Sequence, residues 1–157
     1  MTKPVRIMMI DDREEFAELF QIKLREAMPD IDFALDWHED LEEGMVFDHD
    51  AYIVDNRING IAKGVEIVEA IKAQHGNAVI FVFSNHGDYH LLKDLFRLDV
   101  EYYVDKKEMD LVPVVTFIKS GLQFREKTEC MAAKLDAIAE MAEGEPEDAF
   151  TEQDIVN

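Results

Sequence analysis

The sequence predicts an α/β fold, a doubly wound parallel sheet of five strands with helices on both faces. Short apolar runs typical of strands alternate with segments of helical periodicity along most of the chain. Several of these runs are apolar at every position, as expected for strands buried on both faces. The chain has 157 residues, 48% of them apolar, which is enough for one domain with a substantial core.

The first third of the chain contains two predicted strands, each followed by a predicted helix. The elements are a strand at 5–10 (VRIMMI), a helix at 14–28, a strand at 32–37 (DFALDW) and a short helix at 40–48 (DLEEGMVFD). Pro29 ends the first helix, because proline cannot continue an α-helix. Gly44 lies inside the second helix and weakens its pattern.

The middle of the chain repeats the alternation of strand and helix. The elements are a strand at 51–55 (AYIVD), a polar loop at 56–64, a helix at 65–75, a strand at 78–83 (AVIFVF), a helix at 88–98 and a strand at 101–104 (EYYV). A long last helix is predicted to begin near Asp110, whose carboxylate suits an N-cap.

Composition and charge exclude several classes of protein. The net charge of −19 argues against contact with nucleic acid phosphates and favours a divalent metal or a basic protein partner. Cys130 is the single cysteine, so no internal disulfide is expected. The longest apolar run is far shorter than the ~20 residues of a membrane span, and the N-terminus has no secretory signal pattern. We expect a cytoplasmic protein without membrane contact.

Polar side chains follow four of the predicted strands. Asp11 and Asp12 follow the first strand, Asp55 ends the third, Ser84 follows the fourth and Lys106 follows the fifth. In open parallel sheets the carboxyl ends of the strands form the ligand site, so we expect these side chains to converge. Three carboxylates repel one another, and Mg²⁺, which prefers oxygen ligands and phosphate, would relieve that repulsion. A lysine and a hydroxyl suit a phosphoryl group, for which the central carboxylate is a plausible acceptor.

The segments MIDD, YIVDN, FVFSN and YYVDKK, taken in order, resemble the receiver domain of two-component response regulators. The resemblance covers residues 4–123. It implies a flavodoxin-like (βα)₅ fold with strand order 2-1-3-4-5. It also implies a cytoplasmic signalling switch that catalyses only its own phosphorylation and dephosphorylation. A histidine kinase or a phosphotransfer protein would donate the phosphoryl group, and Mg²⁺ would be the cofactor.

The resemblance also implies a role for each matching residue. Asp55 would be the phosphoacceptor and a ligand of the metal. Asp12 would bind Mg²⁺ directly, Asp11 would bind it through water, and the backbone carbonyl of Arg57 would complete the metal shell. Lys106 would bind the phosphoryl group, and Ser84 and Tyr103 would act as the switch pair. On activation the surface of the fourth and fifth helices and the fifth strand would change its preference for an output protein.

Some positions depart from the usual pattern of the family. The loop after Asp55 lacks the usual proline, and Gly64 stands one residue later than usual. Lys107 replaces the proline that usually follows the lysine. Arg57 and His86 occupy the two variable positions that flank the acceptor, and Asn85 stands where a small residue is common. All three are expected to modulate the lifetime of the phosphoryl group; the alternative for Arg57 and His86 is that they only balance the charge of a very acidic edge.

The helical pattern continues beyond the receiver region. Residues 124–143 predict a helical extension. It is either a coiled coil that mediates a homodimer or a partner contact, a linker, or a helix that folds back on its own domain. The apolar positions of its seam are Phe117, Phe124, Met131, Leu135, Ile138 and Ala142. The acidic segment 144–157 is expected to be a disordered tail. The pattern leaves open whether the chain is a whole protein or a fragment.

Two other functions fit parts of the pattern. A receiver-like scaffold would bind partners without being phosphorylated, which the unusual loop residues favour and the complete set of acids, hydroxyl and lysine opposes. A Mg²⁺-dependent phosphatase of another α/β family typically needs a second acid two residues beyond its nucleophile, and no Asp-x-Asp follows the first strand. The phosphorylated switch is therefore the preferred hypothesis.

Overall fold

The computed structural model describes residues 3–85 and 89–143. Its elements are β1 Val5–Ile10, α1 Glu14–Ala27, β2 Phe33–His38, β3 Ala51–Asp55, β4 Arg57–Ile58, β5 Ile61–Ala62, α2 Gly64–Gln74, β6 Ile80–Ser84, α3 Tyr89–Arg97, β7 Tyr102–Asp105 and α4 Val112–Glu143. The chain divides into two compact units, the first ending at Thr116 and the second beginning at Phe117.

Five strands of the first unit form one parallel sheet in the order β2-β1-β3-β6-β7. Since β6 and β7 are the fourth and fifth predicted strands, the predicted fold class and strand order 2-1-3-4-5 are confirmed. The three central strands, β1, β3 and β6, are buried at nearly every position, in agreement with their uniformly apolar sequences.

Helices cover both faces of the sheet. On one face, alternate residues of β1, β3 and β6 pack with α2 and α3 in one apolar cluster. Its fully or nearly fully buried members include Met8, Ile10, Tyr52, Val54, Ile80, Val82, Ile67, Val68, Ile71, Leu91 and Leu95. Successive strand residues point to opposite faces, so the intervening buried residues lie on the other face. There Phe20 of α1 contacts Phe83 of β6, with ring centroids 5.8 Å apart.

The predicted helix at 40–48 is wrong, because residues 39–50 form turns and irregular structure instead. Gly44 has φ +81°, a left-handed conformation that an α-helix cannot include. The side chain of Gln74 satisfies two backbone groups of this segment. Its Oε1 accepts from the Phe47 N–H at 3.1 Å, and its Nε2 donates to the Met45 carbonyl at 2.8 Å. The segment therefore packs on the core without regular structure.

The loop predicted at 56–64 contains a small antiparallel hairpin. Strands β4 and β5 pair Arg57 with Ala62 and Ile58 with Ile61. The two residues between the strands, Asn59 and Gly60, have φ of +51° and +78°. Positive φ at both central residues is what a type I′ hairpin turn requires, and Asn-Gly is its preferred sequence.

The predicted extended C-terminal helix is confirmed, since α4 runs without interruption from Val112 to Glu143. The carboxylate of Asp110 accepts a hydrogen bond from the Val112 N–H at 3.0 Å, which satisfies a backbone donor at the start of the helix. Residues 144–157, where the sequence predicts an acidic tail, lie outside the described residues. Among the helices that the structure describes, none is both long and apolar enough to cross a membrane.

Candidate functional site

The carboxyl ends of the central strands bring together the polar side chains singled out in the sequence. Asp11 follows β1, Asp55 ends β3 and Ser84 ends β6, and these three residues are only 1%, 6% and 2% exposed. Asp12 is half-buried beside them. One carboxylate oxygen from each of Asp11, Asp12 and Asp55 lies within 4.8 Å of the others. The sheet thus concentrates three acids in a largely buried space.

Lys106, directly after β7, reaches into this acidic cluster. Its Nζ lies 2.6 Å from Asp11 Oδ2 and 3.1 Å from Asp55 Oδ2, and only 6% of its side chain is exposed. The backbone N–H of Lys106 also donates to the Ser84 carbonyl at 3.0 Å, which extends the pairing of β6 with β7. One ammonium therefore contacts two of the three carboxylates, which leaves the cluster with an excess of negative charge.

The pKa of Asp55 is raised above its ordinary value, chiefly because burial removes water from the carboxylate. Repulsion from Asp11 raises it further, while Lys106 and the Arg57 N–H lower it. A positive charge placed beside Asp55 would favour its ionised form. The site is thus disposed to bind a further cation.

Backbone N–H groups fix the orientation of all three carboxylates. The Arg13 N–H donates to Asp11 Oδ1 at 2.9 Å, and the Arg57 N–H donates to Asp55 Oδ1 at 3.3 Å. The Asn59 N–H, at the turn of the β4–β5 hairpin, donates to Asp12 Oδ2 at 2.7 Å. The hairpin thus connects the loop after Asp55 with the acidic pair. The Asn59-Gly60 sequence was the signal that could have predicted it.

Two aromatic residues of the site were not anticipated from the sequence. The indole Nε1–H of Trp37, on β2, donates to the Asp11 backbone carbonyl at 2.7 Å. Phe16, on α1, places its ring centroid 4.1 Å from the ammonium of Lys106. No sequence signal marks either contact, because both join residues that are distant along the chain.

Asn56 and Gly64 determine how α2 begins beside Asp55. The Asn56 carbonyl accepts from the backbone N–H groups of Lys63 and Gly64, at 2.8 and 3.2 Å. A Cβ at position 64 would lie 2.6 Å from Asn56 Oδ1 and 3.2 Å from Asn56 Cα. Glycine is therefore required for this close approach.

The remaining predicted residues are Tyr103, Arg57, Asn85 and His86. Tyr103 on β7 is half-buried, packs against the core, and lines a cleft of about 340 Å³ together with Leu92, Leu95 and Phe96 of α3. Arg57 and Asn85 are exposed. His86, predicted to modulate the site, lies outside the described residues.

The donor set fits a magnesium ion. It consists of carboxylate oxygens, the ligand type that Mg²⁺ prefers, and it carries more negative charge than Lys106 can balance. Among the described residues, this trio is the one group of acids, histidines and cysteines close enough together to hold a metal ion.

Comparison with solved structures finds the same fold in response regulators. A response regulator receiver protein from Pseudomonas putida matches with a TM-score of 0.62 and 17% identity, covering 76% of this chain and 99% of that one. A LuxR-family two-component response regulator from Aurantimonas sp. SI85-9A1 matches with a TM-score of 0.58 and 23% identity, covering 76% and 87%. A fusion that contains the yeast Spc42 trimeric coiled coil matches with a TM-score of 0.60 and 14% identity, covering 90% of this chain and 93% of that one.

Comparison with curated protein sequences gives no significant match. The family model of the response regulator receiver domain, in contrast, matches residues 7–116, which is more than half of the chain and includes every described residue of the acidic site. The chain therefore belongs to the response regulator receiver domain family.

Proposed function

We propose that Asp55 accepts a phosphoryl group from a histidine kinase or a phosphotransfer protein, and that this reaction depends on Mg²⁺. The observation that carries the proposal is the position of Asp55 at the end of the central strand. There its carboxylate lies within 4.8 Å of two further acids and 3.1 Å from the Lys106 ammonium. Membership of the receiver family supports the same function.

The metal would be held by Asp12 directly, by Asp11 through water, by Asp55 and by the backbone carbonyl of Arg57. When bound, Mg²⁺ neutralises negative charge on the acids and on the incoming phosphoryl oxygens. This favours the ionised form of Asp55, whose pKa burial raises. An ionised carboxylate is needed because the neutral acid is a poor nucleophile.

The transfer replaces a phosphorus–nitrogen bond of the donor with a phosphorus–oxygen bond to Asp55. A carboxylate oxygen of Asp55 forms a bond to phosphorus as the bond from phosphorus to the donor's histidine nitrogen breaks. Lys106 binds a phosphoryl oxygen, and the Ser84 hydroxyl donates a hydrogen bond to another. These roles are supported by the positions of Lys106, directly after β7, and Ser84, the last residue of β6. Arg57, Asn85 and His86 would modulate the later loss of the phosphoryl group to water.

Ser84 and Tyr103 would transmit the change to the surface. Ser84 moves toward the phosphoryl group, and Tyr103 turns inward to occupy the space that Ser84 leaves. Tyr103 lines the cleft between α3 and β7, so its movement alters that surface and the output protein it binds. A phosphoryl group adds only about two charges, so it acts by biasing a pre-existing equilibrium between two states.

The C-terminal part of α4 would join two copies of the chain. Four apolar side chains at heptad-like spacing, Phe124, Met131, Leu135 and Ile138, are 62–72% exposed. Exposed apolar side chains in this pattern are typical of a coiled-coil seam. The solved structure of a fusion with the yeast Spc42 trimeric coiled coil is similar over 90% of this chain, which supports a helical extension without indicating the number of copies.

Intact mass spectrometry would test the proposal. The wild type, Asp55→Asn and Asp105→Asn are each incubated with acetyl phosphate, with Mg²⁺ or with a chelator. Asp105 is a matched control because it also ends a strand at this edge, and asparagine can keep its hydrogen bond to the Lys107 N–H. We expect one phosphoryl adduct on the wild type and on Asp105→Asn with Mg²⁺, and none on Asp55→Asn.

An adduct that survives in Asp55→Asn would show that another residue is the acceptor. The absence of any adduct, together with undetectable Mg²⁺ binding by calorimetry, would favour the alternative of a receiver-like scaffold that binds partners without phosphorylation.

A further inference from the structure

The ammonium of Lys106 lies over the ring of Phe16, in addition to its two carboxylate partners. Nζ is 4.1 Å from the ring centroid, well inside the range of about 6 Å at which a cation is attracted to an aromatic face. The lysine side chain is only 6% exposed, so water screens this attraction little.

Aromatic packing fixes the ring of Phe16 relative to the sheet. Its centroid is 6.2 Å from that of Phe83 with an interplanar angle of 65°, an edge-to-face arrangement. Phe83 lies beside Asp55 in the register of β3 and β6, and Ser84 follows it. The ring beneath the ammonium is therefore held by the strand that carries the switch hydroxyl.

The carboxylate partners of Lys106 change during the proposed reaction, whereas the ring does not. Phosphorylation converts the Asp55 carboxylate, 3.1 Å from Nζ, into an acyl phosphate. A metal ion bound by the acids would compete with Lys106 for Asp11, which is 2.6 Å from Nζ. Phe16 makes the one described contact of this ammonium that neither event removes.

We propose that Phe16 is a positioning residue, which holds the Lys106 ammonium at the phosphoryl site through a cation–π contact while its ionic partners are exchanged. This inference rests on the proposed function of the site. It predicts that the electron density of the ring at position 16, and not only its size, controls how well Lys106 assists phosphoryl transfer.

Nuclear magnetic resonance of ¹³C-labelled lysine tests the position of the side chain without any phosphodonor. Protons above an aromatic face are shifted upfield, so we expect an upfield signal for the ε-methylene of Lys106, retained on addition of Mg²⁺. Phe16→Leu should remove the shift, and Phe16→Tyr should restore it. An ε-methylene signal at the ordinary lysine position in the wild type, or one that returns there with Mg²⁺, would overturn the inference.

Phosphorylation by acetyl phosphate at saturating Mg²⁺ tests the effect on the reaction. Phe16→Leu should slow it about five- to thirtyfold, with Phe16→Tyr near wild type. Replacing Phe16 with phenylalanines of increasing fluorination weakens the negative face of the ring at nearly constant shape, so the rate should fall stepwise. The same series at Phe20, which also packs edge-to-face on Phe83 at 5.8 Å, is the matched control and should change the rate less than about twofold.

The proposal would be refuted if the phosphorylation rate were constant across the fluorinated series at position 16, or if it declined equally across the series at position 20. Either result would show that the ring of Phe16 contributes packing alone and no cation–π attraction. If the wild type accepts no phosphoryl group, the proposed function fails. The Lys106 ε-methylene signal then still tests the positioning role: an upfield signal that is retained with Mg²⁺ supports it, and one that moves to the ordinary lysine position contradicts it.

Discussion

Replacing Asp55 with asparagine should stabilise the metal-free protein. The substitution keeps the shape of the side chain and leaves an amide oxygen to accept the Arg57 N–H. It removes one of three acids that lie within 4.8 Å of one another around a single lysine. Asp55, whose proposed role is to bind metal and accept a phosphoryl group, is thus expected to lower the free energy of unfolding.

The size of the effect follows from the distances. The carboxylate oxygens of the trio lie at most 4.8 Å apart, and at that separation two like charges repel by about 3.5 kcal/mol at an effective dielectric constant of about 20. Asp55 has two such neighbours, Asp11 and Asp12. Its attraction to Lys106 at 3.1 Å is about 5 kcal/mol on the same basis. Repulsion exceeds attraction by about 2 kcal/mol, and burial of the carboxylate adds to this, so the free energy of unfolding should rise by about 2 kcal/mol or more.

The contribution of Asp55 to the stability of the wild type changes with pH in a defined direction. Since folding raises the pKa of Asp55, protonation of this group stabilises the native state. That contribution is fully present below the unfolded pKa of about 3.9 and is lost as the pH rises through the folded-state value. The difference in free energy of unfolding between Asp55→Asn and the wild type should therefore increase from acidic to neutral pH.

Urea denaturation at several pH values, with a chelator and with Mg²⁺, measures these differences. In a parallel thermal denaturation at neutral pH with chelator, the midpoint for Asp55→Asn should lie roughly 4–8 °C above that of the wild type. With Mg²⁺ the gap should close, because metal binding stabilises the wild type and the variant lacks one ligand. Asp105→Asn should show neither effect. A variant less stable than the wild type in chelator would refute the electrostatic reasoning.

Three further predictions concern other contacts. Gly64→Ala should lower the free energy of unfolding by about 1–3 kcal/mol in urea, because the new Cβ meets Asn56 at 2.6 Å. Gly76→Ala should leave the free energy of unfolding unchanged, because the space around its Cβ is open. An equal loss of stability in both variants would contradict the steric argument. Lys106→Met should tighten Mg²⁺ binding measured by calorimetry, because a competing cation is removed, whereas weaker binding would show that the lysine organises the ligands. Leu135→Glu should convert dimers to monomers in sedimentation velocity, and a monomeric wild type would exclude the seam.

The sheet could be predicted because its strands are marked by local sequence. β1, β3 and β6 are short runs of mostly apolar residues; Asp11 directly follows β1, and β3 and β6 end in Asp55 and Ser84. The convergence of Asp11, Asp55 and Lys106 followed from parallel strand order alone, and the structure places them in contact. Local pattern and topology were sufficient for these features.

The irregular segment at 39–50 could not be predicted in the same way. Its apolar spacing is compatible with one or two helical turns, and its competing conformation depends on Gln74, which is distant in sequence. A glycine with φ +81° and side-chain hydrogen bonds to the backbone replace the helix. The contact of Phe16 with Lys106 was also inaccessible, since it depends on how α1 packs on the sheet.

The hydrogen bond from Trp37 to the Asp11 carbonyl makes the protein its own optical probe. The chain has a single tryptophan, so all indole emission comes from one position. That indole N–H is 2.7 Å from the backbone of an acid of the site, and indole fluorescence responds to nearby charge and hydrogen bonding. The proposed metal binding and phosphorylation should therefore each change the tryptophan emission, and stopped-flow fluorescence of the unlabelled protein would measure their rates.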